Sequence, residues 1–493
     1  MKLSRLLESG ILYKQVREGD PDITTIEMDS RKVSPGSLFA CVKGERFDGH
    51  DYAAEAVARG AKALLAEREL SIDVPMIIVK DVRRTMAILA DRLYGHPSRD
   101  LSVIGVTGTN GKTTVTHLIK AIQDEANVPT GLIGTLGIKY RDKTVDLGNT
   151  TPEAPVLHRA FREMVDHDIK SAVMEVSSHS LVQGRVRGCD FNIAVFTNLS
   201  QDHLDYHKTM EAYLHAKSLL FSQLGNTYDT GCLKASVLNN DDPASETLKA
   251  ATAVPVWTYG IDQEADFMAK NIRMTPSGTR FDMVTPAGDV AISVKLVGKF
   301  NVYNALAAAC ACTLNGISLT QIKTALEKVE GISGRFETVD GPQPFTVIVD
   351  YSHTPDSLAN ALQAIREFAR KRVITVVGCG GDRDRTKRPI MAKVAVDHSD
   401  IAIFTSDNPR TEDPEAILRD MEKGVPERSY RKISDRREAI TEAVHLAEAG
   451  DIVLIAGKGH ETYQIIGQKV IDFDDRLVAK EAIKERFNNG NSH

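Results

Sequence analysis

Gly108-Thr109-Asn110-Gly111-Lys112-Thr113-Thr114 has the make-up of a polyanion cradle. An apolar run of Val103, Ile104 and Val106 precedes it, and a helix-forming stretch follows from Thr114. A strand, a glycine-rich turn and a helix N-terminus in that order aim successive backbone N–H groups and the positive end of the helix dipole at one point, which suits a polyphosphate. The spacing gives Lys112 reach to β- and γ-phosphates and puts the Thr113 hydroxyl where it ligates Mg²⁺. Val106 stands where a full-length P-loop carries its first glycine, so this is a shortened form, Gly-x-x-Gly-Lys-Thr, with ATP as the expected nucleotide.

Other reactive side chains cluster at the ends of strand-like runs. Glu175 closes Ala172–Val176, and a carboxylate there can share Mg²⁺ with Thr113. His203 lies in Asp202-His-Leu-Asp-Tyr-His207, a string with the look of a transition-metal site. No thiolate or third histidine is in step with it, so a Mg²⁺ partner or a phosphate contact is the reading. Lys217 follows on a helix just past that cluster.

These residues need a scaffold, and 493 residues exceed one core. Residues 1 to 98 read as a small α/β domain, with strands Ser37–Val42 and Met76–Val79 and helices Asp51–Arg59 and Val82–Leu93. Residues 99 to 333 alternate strands (Val103–Val106, Ala172–Val176, Ile193–Thr197, Ser236–Asn239) with helices, as a wound, mostly parallel sheet does. Residues 267–297 switch to short alternating runs that look antiparallel and are expected to flank that sheet. Gly331-Ile-Ser-Gly-Arg335 is a glycine-bracketed hinge. Beyond it, residues 334 to 493 repeat the alternation at Phe345–Asp350, Val373–Gly378, Ile401–Ser406 and Ile452–Gly457, a Rossmann-like third domain without a second phosphate loop. In such sheets ligands gather outside the carboxyl ends of the strands.

Composition excludes several classes. A net charge of −6 and a pI near 6.2 argue against a nucleic-acid surface. Cysteines 41, 189, 232, 310, 312 and 379 are scattered, which indicates neither zinc nor a disulfide framework. Arg5 and Glu8 interrupt what a signal peptide needs as an apolar core, and no apolar run is long enough to span a membrane. A cytoplasmic chain is expected.

Taken in order, Gly108–Thr114, Glu175-Val-Ser-Ser-His179, Thr197-Asn-Leu-Ser-Gln-Asp-His203, Gly298-Lys-Phe-Asn-Val-Tyr-Asn304, Gly334-Arg-Phe-Glu337 and Asp350-Tyr-Ser-His353 resemble the Mur ligases, ATP-dependent amide-forming enzymes of peptidoglycan synthesis. Asp29-Ser-Arg31, Asn149-Thr-Thr-Pro152 and Asp407-Asn-Pro-Arg410 look like those of the members that add meso-diaminopimelate to UDP-N-acetylmuramoyl-L-alanyl-D-glutamate. The resemblance implies that Ser30, Glu45, Arg46 and Phe47 line a uridine-diphosphate pocket, and that Asn149, Thr150, Thr151, Ser177, Gln183 and Arg185 hold the muramoyl-dipeptide. It implies that Asn301, Arg335 and Asp350 complete the ATP site. Arg383, Asp407, Asn408, Pro409, Arg410, Gly457 and Glu461 would bind the amino acid. Lys112, Glu175, His203 and Lys217 would be catalytic, with Lys217 carried as a carbamate that joins Thr113, Glu175 and His203 in holding Mg²⁺. No protein, nucleic-acid or membrane partner is implied. A lysine-adding ligase, a folylpolyglutamate synthetase and a P-loop ATPase switch remain as alternatives at this point.

Overall fold

Apolar runs without polar alternation, such as Val103–Val106 and Ile193–Phe196, are satisfied only between two helical layers, and the chain builds three such sandwiches. The computed structural model describes residues 1–8, 10–44, 47–225, 233–275 and 278–488; Glu45, Arg46 and Cys232 lie outside them.

The N-terminal sheet orders its strands as Lys14–Val16, Met76–Ile78, Ala63–Ala66, Ser37–Ala40 and Thr25–Glu27, parallel except for the first pair. The helix Val82–Leu93 has the expected bounds, while the expected helix from Asp51 begins as a 3₁₀ turn, Gly49–Tyr52, and turns α over Ala53–Ala58.

At the heart of the central sheet Ser102–Thr107 lies between Ile193–Phe196 and Ser171–Glu175, all parallel. Thr130–Gly134 follows on one side, and Ala235–Asn239 and Val256–Gly260 on the other. The antiparallel strands Phe267–Thr275, Gly278–Thr285 and Gly288–Val294 do not flank this sheet. They continue it edge to edge, because Tyr259–Gly260 pairs in parallel with Phe267–Met268 and prolongs the ladder.

The Ala-rich helix Lys299–Leu314 is fully buried from Ala305 to Cys312 and lies against the helix Lys112–Glu125, where the Cys312 thiol reaches the Ile119 carbonyl at 3.9 Å. The five described cysteines are free thiols.

The C-terminal sheet runs Glu337–Thr338, Thr346–Asp350, Ile452–Ala456, Val373–Cys379, Ile401–Ser406 and Arg431–Lys432, with only the first strand antiparallel. A separate hairpin, Tyr463–Ile466 with Lys469–Asp472, covers one corner of it. Among the described residues no helix is long and apolar enough to cross a membrane.

The expected hinge is tightly built. Gly334 adopts φ +66°, and a Cβ there would lie 2.0 Å from the backbone nitrogen of His460. Tyr351 N also donates to Gly334 O at 3.0 Å. Left-handed backbone costs an L-residue about 1–2 kcal/mol before any clash is counted. Gly334→Ala is therefore expected to lower the melting temperature by several degrees (roughly 2–4 °C per kcal/mol) and to loosen the linker. Differential scanning calorimetry and proteolysis at residues 329–336 would measure both.

Candidate functional site

The strand register brings Glu175 opposite Val106, directly beside the phosphate loop. Two glycines let that loop close. A Cβ on Gly108 would meet the Thr197 hydroxyl at 1.8 Å, and one on Gly111 would meet Asn304 Oδ1 at 2.5 Å. The Asn110 backbone N–H donates to Asn198, and the Thr109 hydroxyl to the Ser200 carbonyl. Lys112 opens the helix and folds its ammonium onto the Gly108 and Thr109 carbonyls at 2.9 and 2.8 Å. Burial pushes its pKa below the usual lysine value, against the pull of Glu175 and Asp202.

The Thr113 hydroxyl donates to Glu175 at 3.0 Å and accepts from the Arg335 guanidinium at 3.0 Å. Thr135 donates to the same carboxylate through N–H and hydroxyl, and its hydroxyl lies 3.2 Å from that of Thr150. A hydroxyl and a carboxylate in contact are hard oxygen donors suited to Mg²⁺. Among the described residues no three His, Cys, Asp or Glu side chains converge as a metal cage.

His203 and Lys217 belong to a second cluster beyond Lys112. Burial drives the His203 pKa down to about 3 although Asp202 pulls the other way. Lys217 is 1 % exposed, and among the described residues its ammonium has neither hydrogen bond nor ion pair, only the Tyr213 ring 4.2 Å away. Burial, reinforced by Lys112, holds its pKa well below the ordinary value. His179, His207 and Tyr213 surround this corner, and His207 bonds Ser178.

The C-terminal domain closes over both clusters. Asp356 accepts from Asn110 and Ser200, Gln201 donates to Thr386, and Asp202 faces His353 at 3.6 Å and Lys387 at 3.7 Å. Burial works to raise the Asp202 pKa, yet His353, Lys387 and His203 keep it well below the carboxylate norm. Arg335 stacks on Tyr351 at 4.5 Å, and among the described residues its buried Nε has no hydrogen-bond partner, nor has Nδ1 of His460. A cleft of about 370 Å³ between the two domains is lined by Gly111, Thr114, Asn301, Asn304, Asp350 and Tyr351, among others. Asp350 accepts from Phe336 N and Ser352, and Asn301 from Asn304.

The other expected groups divide. Thr151 bonds the Glu175 carbonyl and accepts from Ser177 N, and its own carbonyl accepts from Arg185, which also grips Gln183 and pairs with Glu153. Asn149 is exposed and has no hydrogen bond among the described residues. Ser30 is buried and Phe47 is 68 % exposed, with the edge-on Tyr52 ring as its aromatic neighbour.

In the third domain Asn408 donates to Glu461 at 2.8 Å, and Gly457 at φ +121° leaves room for Asp407 Oδ2, 2.6 Å from where a Cβ would stand. The Pro409 carbonyl faces Gly381 closely. Arg410, at φ +52°, donates its backbone N–H to the Ile465 carbonyl at 3.0 Å, and among the described residues its guanidinium donates only to the Gly381 and Asn408 carbonyls. Neither it nor Arg383 has an ion pair among the described residues, so both guanidinium charges are open to an anionic ligand. Burial and Arg383 lower the Arg410 pKa.

Sequence reading did not single out Asp356 or Lys387, and it left Asn304, Asp202 and His353 inside motifs or strand ends without a site role of their own. Asn304 stood in a quoted motif three residues from Asn301, one helical turn away, and that spacing was the available signal. It also passed over Lys458, which is wholly buried between Asn408 and Glu461.

Comparison with known proteins agrees along the whole chain. Family models described as Mur ligase family, catalytic domain, Mur ligase middle domain, and Mur ligase, glutamate ligase domain match residues 22–94, 106–312 and 334–459. UDP-N-acetylmuramoyl-L-alanyl-D-glutamate–2,6-diaminopimelate ligases of Geobacillus thermodenitrificans and Halalkalibacterium halodurans are 59% and 55% identical to it, each match covering 99% of this chain and 100% of the relative. A solved structure of a ligase of that name is 34% identical, with a TM-score of 0.69 and 99% of each chain covered. The MurF ligase of Thermotoga maritima in complex with ADP shares the fold at 19% identity and a TM-score of 0.66, over 94% of this chain and 97% of that one. Three α/β sandwiches, a short phosphate loop shared between two of them and this likeness lead to one conclusion: the chain belongs to the Mur ligase family.

Proposed function

We propose that the chain is an ATP-dependent carbon–nitrogen ligase that adds meso-2,6-diaminopimelate to the D-glutamyl carboxylate of UDP-N-acetylmuramoyl-L-alanyl-D-glutamate in cytoplasmic peptidoglycan precursor synthesis. The observation that carries this reading is the 3.0 Å contact of Arg335 with Thr113, which joins the amino-acid domain to the phosphate loop at one point. The work divides as residues 1–98 for the uridine end, 99–333 for ATP and the acceptor, and 334–493 for the incoming amino acid.

A carboxylate is a poor electrophile, and its oxide is a poor leaving group. Transfer of the γ-phosphoryl group to it cures both defects, giving an acyl phosphate and ADP. The amine then attacks the carbonyl carbon, the tetrahedral centre expels phosphate, and a proton leaves the nitrogen. Lys112 and Arg335 offset charge on the phosphate oxygens. Thr113 and Glu175 would hold Mg²⁺, which when bound would supply further charge neutralisation there. Asn301, Asn304 and Asp350 line the nucleotide cleft. Thr151, Ser177, Gln183 and Arg185 hold the acceptor beside Glu175. Closure by Asp356, His353 and Lys387 excludes water that would hydrolyse the intermediate.

In this reading the Lys217 ammonium first loses one proton, the neutral amine then forms an N–C bond to CO₂ as one C=O π bond opens, and a second proton leaves the nitrogen, so that a cation becomes an anion near His203. Its depressed pKa supports this, because the unperturbed value near 10.4 leaves only about one lysine in a thousand neutral at pH 7. The protein equilibrated with ¹³C-bicarbonate is expected to give one carbamate carbon resonance that is missing from Lys217→Met.

With ¹⁸O in the D-glutamyl carboxyl group, one labelled oxygen is expected in the released phosphate; unlabelled phosphate would rule out the acyl phosphate. Diaminopimelate differs from lysine by a carboxylate on the far carbon, and Arg410 has the open guanidinium to grip it. Charge-assisted hydrogen bonds contribute roughly 1.5–3 kcal/mol each, so Arg410→Ala is expected to lose at least about tenfold in preference for diaminopimelate over lysine. An unchanged preference in side-by-side phosphate-release assays would reassign that residue.

A further inference from the structure

A wholly buried lysine sits within the corner proposed to take the amino acid. Lys458 is 0 % exposed, and its ammonium donates to Glu461 Oε2 at 2.9 Å and Asn408 Oδ1 at 3.2 Å, with the Tyr463 ring 5.5 Å away. Asn408 donates to the same Glu461 oxygen at 2.8 Å, and its own Oδ1 also accepts from Ile465 N at 2.9 Å. Glu461 Oε2 is thus doubly bound, while Oε1 has no hydrogen bond among the described residues and the side chain is 13% exposed. Lys458 therefore fixes which oxygen of Glu461 stays available to a ligand.

It also sets the charge of the corner. Arg383, Arg410 and Lys458 face Asp407 and Glu461, and Arg436 closes on Asp475 as a buried pair at 2.7 Å that is neutral in itself. Arg335 stands near the same two carboxylates, and what Lys458 adds is one further positive charge, buried. Diaminopimelate, with two ammonium and two carboxylate groups, is neutral overall, whereas lysine carries one net positive charge. A buried cation there disfavours lysine and is indifferent to the net charge of diaminopimelate, and replacing Lys458 by an uncharged residue makes the corner one charge more negative.

We infer that Lys458 is a specificity-determining residue that disfavours cationic amino acids and positions Glu461, an inference that rests on the proposed function. It does not touch the reacting atoms.

The test compares kcat/KM for diaminopimelate and for L-lysine in the wild-type chain, Lys458→Met, Lys458→Gln and Lys458→Arg, at saturating ATP and UDP-muramoyl-dipeptide. Lys458→Met and Lys458→Gln are expected to lose about tenfold in the diaminopimelate-to-lysine ratio, the scale of one charge interaction at a partly screened site. The change is expected in the KM of the amino acids, with KM for ATP and for the nucleotide-sugar peptide within about twofold, and Lys458→Arg is expected to restore the ratio. Two uncharged replacements of different polarity guard against one that does not fold, as judged by circular dichroism. A ratio unchanged in a folded uncharged variant, or an equal rise in all three KM values, overturns the inference and leaves a bracing role. A wild-type chain that turns over neither amino acid overturns the proposed function instead.

Discussion

One hydroxyl ties the ligase together. Thr113 donates a hydrogen bond to Glu175 and accepts one from Arg335, so a helix N-terminus, a strand end and the entry to the third domain meet at a single oxygen. The rest of the site is arranged to make that meeting possible. Parallel pairing sets Glu175 level with Val106, glycines at 108 and 111 let the loop sit against Thr197 and Asn304, and the Gly334 backbone admits His460 without a side chain in the way. Each of these is a steric or register condition, and each fails with one wrong residue.

The contact between the two domains has a large polar share beside apolar pairs such as Phe300 with Phe336, whose ring centroids lie 5.9 Å apart. Asp356, Thr386, His353 and Lys387 meet Asn110, Ser200, Gln201 and Asp202 through hydrogen bonds and charges. Such contacts release cheaply because water can replace them. Domains that must open for substrates and close for chemistry need an interface of that kind, whereas each sheet keeps its own apolar core.

Local chemistry was readable in the sequence where it is encoded locally. The phosphate loop announces itself because strand, turn and helix lie within a dozen residues, and Ile401–Ser406 and Val82–Leu93 have the expected bounds because their apolar patterns are long. Thr130–Gly134 was overlooked because two glycines in five residues dilute the strand signal, and Ala63–Ala66 because a four-residue apolar run reads equally as helix. The antiparallel strands after Gly260 were recognised as such, but whether they flank or prolong a sheet depends on one pairing at Phe267 that no pattern reveals. Asp202 with His353 and Lys387, or Lys458 with Asn408 and Glu461, join loops separated by about 50 to 185 residues or hide a charge in a turn, so composition offers no clue.

The alanine and cysteine side chains between Ala305 and Cys312 have a mechanical consequence. Short side chains let that helix nest against the one that begins at Lys112, so the asparagines at its start and the loop they brace move as one stiff block. On the proposed reading, adaptation to successive substrates falls on the linker and the outer lobe, much as a vice has one fixed jaw and one that travels.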